Sequence, residues 1–230
     1  MACPYDLNIN TKYLRMKNKI IAIEEAVAHI KDGATIMIGG FLGNGDPKRI
    51  IDLMVEKNVK DLTIICNDTA FPEVGLGKLI VNRQVKKVIT SHIGTNPVTG
   101  QLMNEGEIEV QFVPQGTLAE QIRCAGNGLG GVLTQTGIGT VVEENKQKIT
   151  VNGVDYLLET PLKAEIAIIA ATWGDKAGNL KYRGTSQNFN PLMAMAADMV
   201  IAEAENLVEI DKIEAECVHT PAVFVDYIVH

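Results

Sequence analysis

Residues 32–47, DGATIMIGGFLGNGDP, carry a short apolar run into a glycine-dense turn and then to a helix start. Ala34–Ile38 reads as a buried strand. Gly39, Gly40, Gly43 and Gly45 fall within the seven positions that follow. Asp46 then offers an N-cap side chain, and Pro47 suits the first helical position. A turn of this kind bares backbone N–H groups at the positive end of a helix, where a phosphate or a developing oxyanion is stabilised. Glycine lets such a ligand approach the backbone, because a side chain would hold it off. The stretch therefore predicts an anionic small-molecule ligand bound at a strand-to-helix turn.

Helical and extended patterns alternate around it, which predicts an α/β fold built on a mainly parallel open sheet with flanking helices. Ile23, Ala26, Val27 and Ile30 share one helix face, and Ile50, Leu53, Met54 and Lys57 continue a helix from Pro47. Leu62–Cys66, Lys87–Ser91 and Ile108–Val113 read as further strands, and HIGTNPVTGQ (92–101) as a loop of turn formers. Thr117-Leu-Ala-Glu120 has the form of a capping box, which places Gln115 and Gly116 in the turn before a helix. AGNGLGGVLTQTGIG (125–139) reads as a second glycine-rich loop, long enough to close over a site. Ile149 to Leu158 alternate about Asn152-Gly153, a β-hairpin insertion with a type I′ turn. Ala164–Thr172 predicts a central strand, Met193–Ala197 a short helix, and Asp198–Ala202 and Val223–Ile228 late strands.

Composition narrows the function. The 230 residues are 46% hydrophobic and 21% charged, as in an ordinary globular protein. No apolar run reaches the roughly 18 residues of a membrane span, and the N-terminus lacks a secretory core, so a cytoplasmic location is expected. The net charge of −7 includes no basic run, which argues against nucleic acid as a partner. Cys3, Cys66, Cys124 and Cys217 form no CxxC pair, and His29, His92, His219 and His230 show no ligand spacing. No metal site is expected.

In open α/β sheets ligands gather beyond the carboxyl ends of the strands. Gly39–Gly45, Asn67-Asp68 and Gln115-Gly116 all fall at such ends. A dinucleotide enzyme is one reading, since Asp68 lies near the spacing of a ribose-binding acid. Gly43-Asn-Gly45-Asp-Pro-Lys48, however, lacks the third glycine of that fingerprint. A sugar-phosphate isomerase or deaminase is another, and it would need Asp68 or His92 as its acid or base. A non-catalytic binding or regulatory subunit is a third.

Together, DGATIMIGGFLGNGDP, LTIICNDTAF, SHIGTNP, GEIEVQFVPQGTLAEQIRCAGNGLGG, TGIGTVVEE and GNLKYRGTSQNFNPLMAMAAD resemble, in order, the alpha subunit of the family I coenzyme A transferases. The acetate and butyrate–acetoacetate enzymes are the members most similar to it. The resemblance spans residues 16–230, read as one alpha-subunit domain, and leaves 1–15 as a leader outside it. It implies the family's Rossmann-like fold. It also implies a coenzyme A-binding segment at Gly39, Gly40, Phe41, Leu42, Gly43, Asn44 and Gly45. Gln115 matches a glutamine lining the thioester site, and Asn67 an asparagine beside it. Asp68 departs from the Asn-Asn of some single-chain relatives.

The resemblance implies that the nucleophilic glutamate belongs to a beta subunit or second domain. Glu73, Glu105, Glu107, Glu120 and Glu159 lie in other motif contexts and do not match it. The resemblance thus implies an α2β2 assembly with acyl-CoA and a free carboxylate as substrates and no permanently bound cofactor. In it, the amides of residues 39–45 and the Gln115 side chain stabilise charge generated by the partner's carboxylate.

Overall fold

The computed structural model describes residues 18–230; the leader expected at 1–15, and Cys3 with it, lies outside them. The chain runs through α1 (Ile23–Ala28), β1 (Thr35–Ile38), α2 (Lys48–Glu56), β2 (Leu62–Ile65), α3 (Gly77–Val81) and β3 (Val85–Thr90). It continues with α4 (Pro97–Glu105), β4 (Glu109–Phe112), α5 (Gln115–Gly126), β5 (Val132–Thr134), β6 (Lys148–Val151) and β7 (Val154–Glu159). β8 (Ala164–Asp175), β9 (Leu180–Lys181), α6 (Asn190–Met195), β10 (Ala197–Val208) and β11 (Tyr227–Val229) complete it.

The main sheet has the order β11-β10-β8-β1-β2-β3-β4, all parallel, with the short β9 antiparallel on β8. The two faces follow from alternation along each strand. In β1, Ile36 and Ile38 face a core shared with α1 to α4, through Val27, Ile50, Met54, Leu79 and Leu102. Met37 faces the opposite core, built with Leu118 and Ile122 of α5 and Met193 of α6. β8 divides in the same way, Ile166 and Ile168 against Ala167 and Ile169. Strands buried on both sides read as continuous apolar runs, and this is why Ala164–Thr172 announces itself in the sequence.

The hairpin forms as expected: β6 and β7 pair antiparallel about Asn152 and Gly153, whose φ angles of 52° and 79° are those of a type I′ turn. Other expectations need correction. Residues 125–139 are not one long loop, because Ala125 and Gly126 end α5 and Val132–Thr134 pairs with β7 to make a three-stranded sheet. Residues 97–101 belong to α4, which starts with Pro97 at its first turn. A strand at 223–228 shrinks to Tyr227–Val229, with a 3-10 turn at Ala222–Phe224 before it.

The two expected caps are also absent. α2 begins at Lys48, and its free Arg49 and Ile50 N–H groups donate to the Glu203 carboxylate of β10 (3.2 and 2.9 Å), not to Asp46. α5 begins at Gln115 because the two-residue Val113-Pro114 link leaves no room for a longer turn. Thr117 is thereby carried inside the helix, and its hydroxyl is buried without a partner.

Candidate active site

The strand order reverses at β1, which lies between β8 and β2, and open α/β sheets usually bind ligands at that crevice. Here the chain fills it with residues 185–190. Asn188 accepts the Gly40 N–H through Oδ1 (3.1 Å) and donates through Nδ2 to the Asn44 carbonyl (3.0 Å). Asn190 donates to the Gly45 carbonyl (3.1 Å) and accepts the Ala170 N–H (3.0 Å). A Cβ at Gly39 would lie 1.8 Å from Asn190 Oδ1, so glycine is required there by packing. The sequence does not single out either asparagine, since side chains that bond mainly distant backbone carry no spacing signature.

The open space is displaced toward β2 and β3. A cavity of about 290 Å3 is lined by Phe41 and Leu42 after β1, Asn67 and Asp68 after β2, Ser91, His92 and Thr95 after β3, and Gln115 at the start of α5. All three regions expected from the sequence thus meet at one place. Ser91, His92 and Thr95 join them from the segment read only as a loop.

The glycine turn is not the floor of bare amides that the sequence suggested. Phe41 and Asn44 exchange both backbone hydrogen bonds (3.0 and 2.9 Å), closing a tight hairpin with Leu42 and Gly43 at its tip. The Gly39 N–H donates to Ile168 O (3.1 Å), Gly40 to Asn188, and Leu42 to both oxygens of Asp68 (3.2 and 3.0 Å). Among the described residues only the Gly43 and Gly45 N–H groups of this segment find no acceptor. Gly39, Gly40 and Gly43 are buried, and Phe41 and Leu42 are what the hairpin presents to the cavity. Leu42 adopts φ 51°, a left-handed conformation unusual for leucine, and the Asp68 carboxylate holds it there.

Beneath the hairpin lies Asp46. Its carboxyl is wedged between Gly40 and Gly75, where added Cβ atoms would fall 1.7 and 1.6 Å from its two oxygens. Its Oδ2 has no hydrogen-bond partner. Burial, and next the Asp68 charge, push its pKa up to about 7.

Bare donors stand instead at α5. The Gln115, Gly116 and Thr117 N–H groups precede the first intrahelical bond, Leu118 N–H to Pro114 O (2.8 Å), and no side chain caps them. The Gln115 side chain donates through Nε2 to Asn67 Oδ1 (2.7 Å), and Asn67 Nδ2 donates to Asp68 Oδ2 (2.9 Å). On the far side of the same helix start, Gly116, Thr117 and Glu120 border a second hollow of about 330 Å3 with Val132, Leu133, Thr134 and Thr136.

Comparison with known proteins decides the family. The coenzyme A transferase family model matches residues 20–230. The chain belongs to the coenzyme A transferase family. It is 56% identical over 214 residues to the acetoacetyl-CoA:acetate/butyrate CoA transferase alpha subunit of Clostridium acetobutylicum, covering 93% of this chain and 98% of the relative. It is 52% identical to the acetate CoA-transferase subunit alpha of Escherichia coli K12, over 93% and 97% of the two chains. This transferase chain is thus of the alpha type. Its fold is that of an acyl-CoA transferase of Escherichia coli O157:H7 solved as a thioester complex with CoA (TM-score 0.83, 22% identity). The match covers 94% of this chain but 48% of that one, so this chain spans about half the length of that chain.

Among the described residues of the transferase chain, no group of three or more His, Cys, Asp or Glu is placed to hold a metal ion. No helix there is long and apolar enough to cross a membrane. Cys66, Cys124 and Cys217 are unpaired, and burial pushes the Cys66 thiol up and away from reactivity.

Proposed function

We propose that residues 16–230 form the alpha subunit of a cytoplasmic short-chain acyl-CoA:carboxylate CoA-transferase, acting on acetate, butyrate or acetoacetate and their CoA esters with a beta subunit in an α2β2 assembly. Two relatives that exchange such acids are more than half identical to it over nearly their whole length. The observation that carries the mechanistic reading is the meeting of Gln115 and Asn67 at the mouth of the 290 Å3 cavity, beside the uncapped start of α5.

In this reading a glutamate of the beta subunit attacks the thioester carbonyl. A carbon–oxygen bond forms, the carbon–sulfur bond breaks, and CoA leaves as thiolate. The thiolate then attacks the glutamyl carbonyl of the resulting anhydride and releases the donor acid. The acceptor carboxylate repeats the sequence in reverse, so no proton is gained or lost overall. Each attack places negative charge on a carbonyl oxygen. The Gln115 amide and the bare α5 N–H groups are the donors this chain offers to that charge. Residues 39–45 contribute as a preformed wall, with Phe41 and Leu42 against the acyl group and pantetheine end of coenzyme A, and with the Gly43 and Gly45 amides as their remaining donors. Coenzyme A acts as substrate, and the reading needs no resident cofactor.

The test is acetoacetyl-CoA consumption with acetate, measured for the chain alone and with a co-expressed beta-type chain. Activity is expected only in the pair. Gln115→Ala in the assembled pair should lower kcat about ten- to a thousand-fold without lowering the melting temperature. Full turnover by the isolated chain, or an unchanged rate for that variant, would refute the assignment.

A further inference from the structure

Gln115 is a flexible, exposed side chain, and an amide can face a neighbour with either its oxygen or its nitrogen. What fixes its orientation is two residues away in the bonding pattern. The Asp68 carboxylate is buried and collects the Leu42 N–H on both oxygens, the Ala70 N–H on Oδ1 (2.8 Å) and Asn67 Nδ2 on Oδ2 (2.9 Å). A carboxylate only accepts, so the Asn67 atom facing it must be the NH2 group. The Asn67 oxygen is then turned toward Gln115 and, at 3.3 Å, toward the Ser91 hydroxyl. Facing an oxygen, Gln115 must in turn present Nε2. One charge thus fixes the orientation of two amides in series.

We infer that Asp68 is a positioning residue for Gln115: a buried, accept-only group that ends the Asn67 relay and gives the Gln115 amide a single orientation. This rests on the reading above, in which Gln115 donates to the reacting oxygen. With one Nε2 proton committed to Asn67, the second is held in one place, at the edge of the cavity that Gln115 lines. The same carboxylate pins Leu42, so both walls of the cavity refer to one anchor. A donor whose orientation is set before substrate arrives loses nothing to reorganisation during the reaction.

Asp68→Asn separates this role from a merely structural one. Its remaining oxygen, at the Oδ1 place, still accepts the Ala70 N–H (2.8 Å) and the Leu42 N–H (3.2 Å), while the shorter Leu42 bond to Oδ2 (3.0 Å) is lost, so the backbone anchor weakens but does not vanish. Its new NH2 group faces Asn67 and reverses the relay, leaving Gln115 to meet Asn67 through Oε1. In the assembled enzyme this variant is expected to lower kcat about 10- to 100-fold while KM for acyl-CoA changes less than about threefold. Combined with Gln115→Ala, it should cost less than about threefold more, because two members of one relay do not add. Asn67→Ala, which cuts the relay but leaves Leu42 on Asp68, should reproduce the loss, and it serves alone should the first variant not assemble. A full multiplicative loss in the double variant, or a near-normal kcat for Asn67→Ala or Asp68→Asn when Gln115→Ala is impaired, overturns the inference. A normal rate for Gln115→Ala overturns the reading beneath it.

Discussion

The turn after β1 carries four glycines and uses five of its seven N–H groups on this chain's own acceptors. The start of α5, after β4, carries one glycine and leaves three N–H groups bare. Glycine therefore does different work at the two places. At Gly39 and Gly40 it is demanded from below, by Asn190 and Asp46. At Gly116 the backbone is ordinary helix and a Cβ would meet nothing within 4 Å, so neither packing nor conformation calls for it. Glycine density marks where a chain packs closely against itself; bare donors have to be located by following each hydrogen bond.

The largest expected effect breaks the first turn. Gly40→Ala combines φ 132° with a Cβ 1.7 Å from Asp46 Oδ1, and Asp46 cannot retreat because Gly75 closes its other side. A loss of about 3–5 kcal/mol is expected in denaturant unfolding; a loss below about 1 kcal/mol would show that the wedge is soft.

Next in size is a dependence on pH. The Asp46 pKa is raised from 3.8 to about 7 in the folded chain. Between those values the native state therefore holds a proton that the unfolded chain has released, and stability falls as pH rises through that window. Asp46→Asn abolishes the decline. The variant should match the parent near pH 4 and exceed it by about 4 kcal/mol above pH 8. Parallel stability curves for the two proteins would contradict this.

The smallest effect has the opposite sign to the first. Gly116→Ala replaces glycine in an open helical position and should raise stability by about 0.5–1 kcal/mol. If the α5 amides receive the reacting oxygen, the added methyl should also lower kcat in the assembled enzyme by about two- to tenfold. A stabilised chain with an unaltered rate would move the reacting oxygen away from this helix.

Much of this was legible in the chain because it depends on local pattern. Ile36 to Ile38, Ile64-Ile65 and Ile166 to Ile169 alternate between two buried faces, and Asn152-Gly153 supplies the only backbone geometry its hairpin accepts. The convergence of Gly39–Gly45, Asn67 and Gln115 followed from strand ends and from family resemblance. What stayed hidden was long-range. Glu203 caps α2 from more than 150 positions away, a role no local window contains. Asn188 and Asn190 fill the crevice between β1 and β8 by bonding backbone, which leaves nothing in the sequence to distinguish them from other polar loop residues. β5 is three residues among glycines, too short to show a period. α4 could have been found, since Asn96-Pro97 is a helix-start signal, but the turn formers on either side obscured it.

Leu42, His92, Gln115 and Gly116 are all exposed, so the bowl they border is wet along one rim. Under the proposed mechanism an activated acyl group would rest there within reach of water, which competes with the acceptor acid for it. Fidelity of transfer over waste would then depend on a dry surface roofing the bowl, which these exposed residues do not supply.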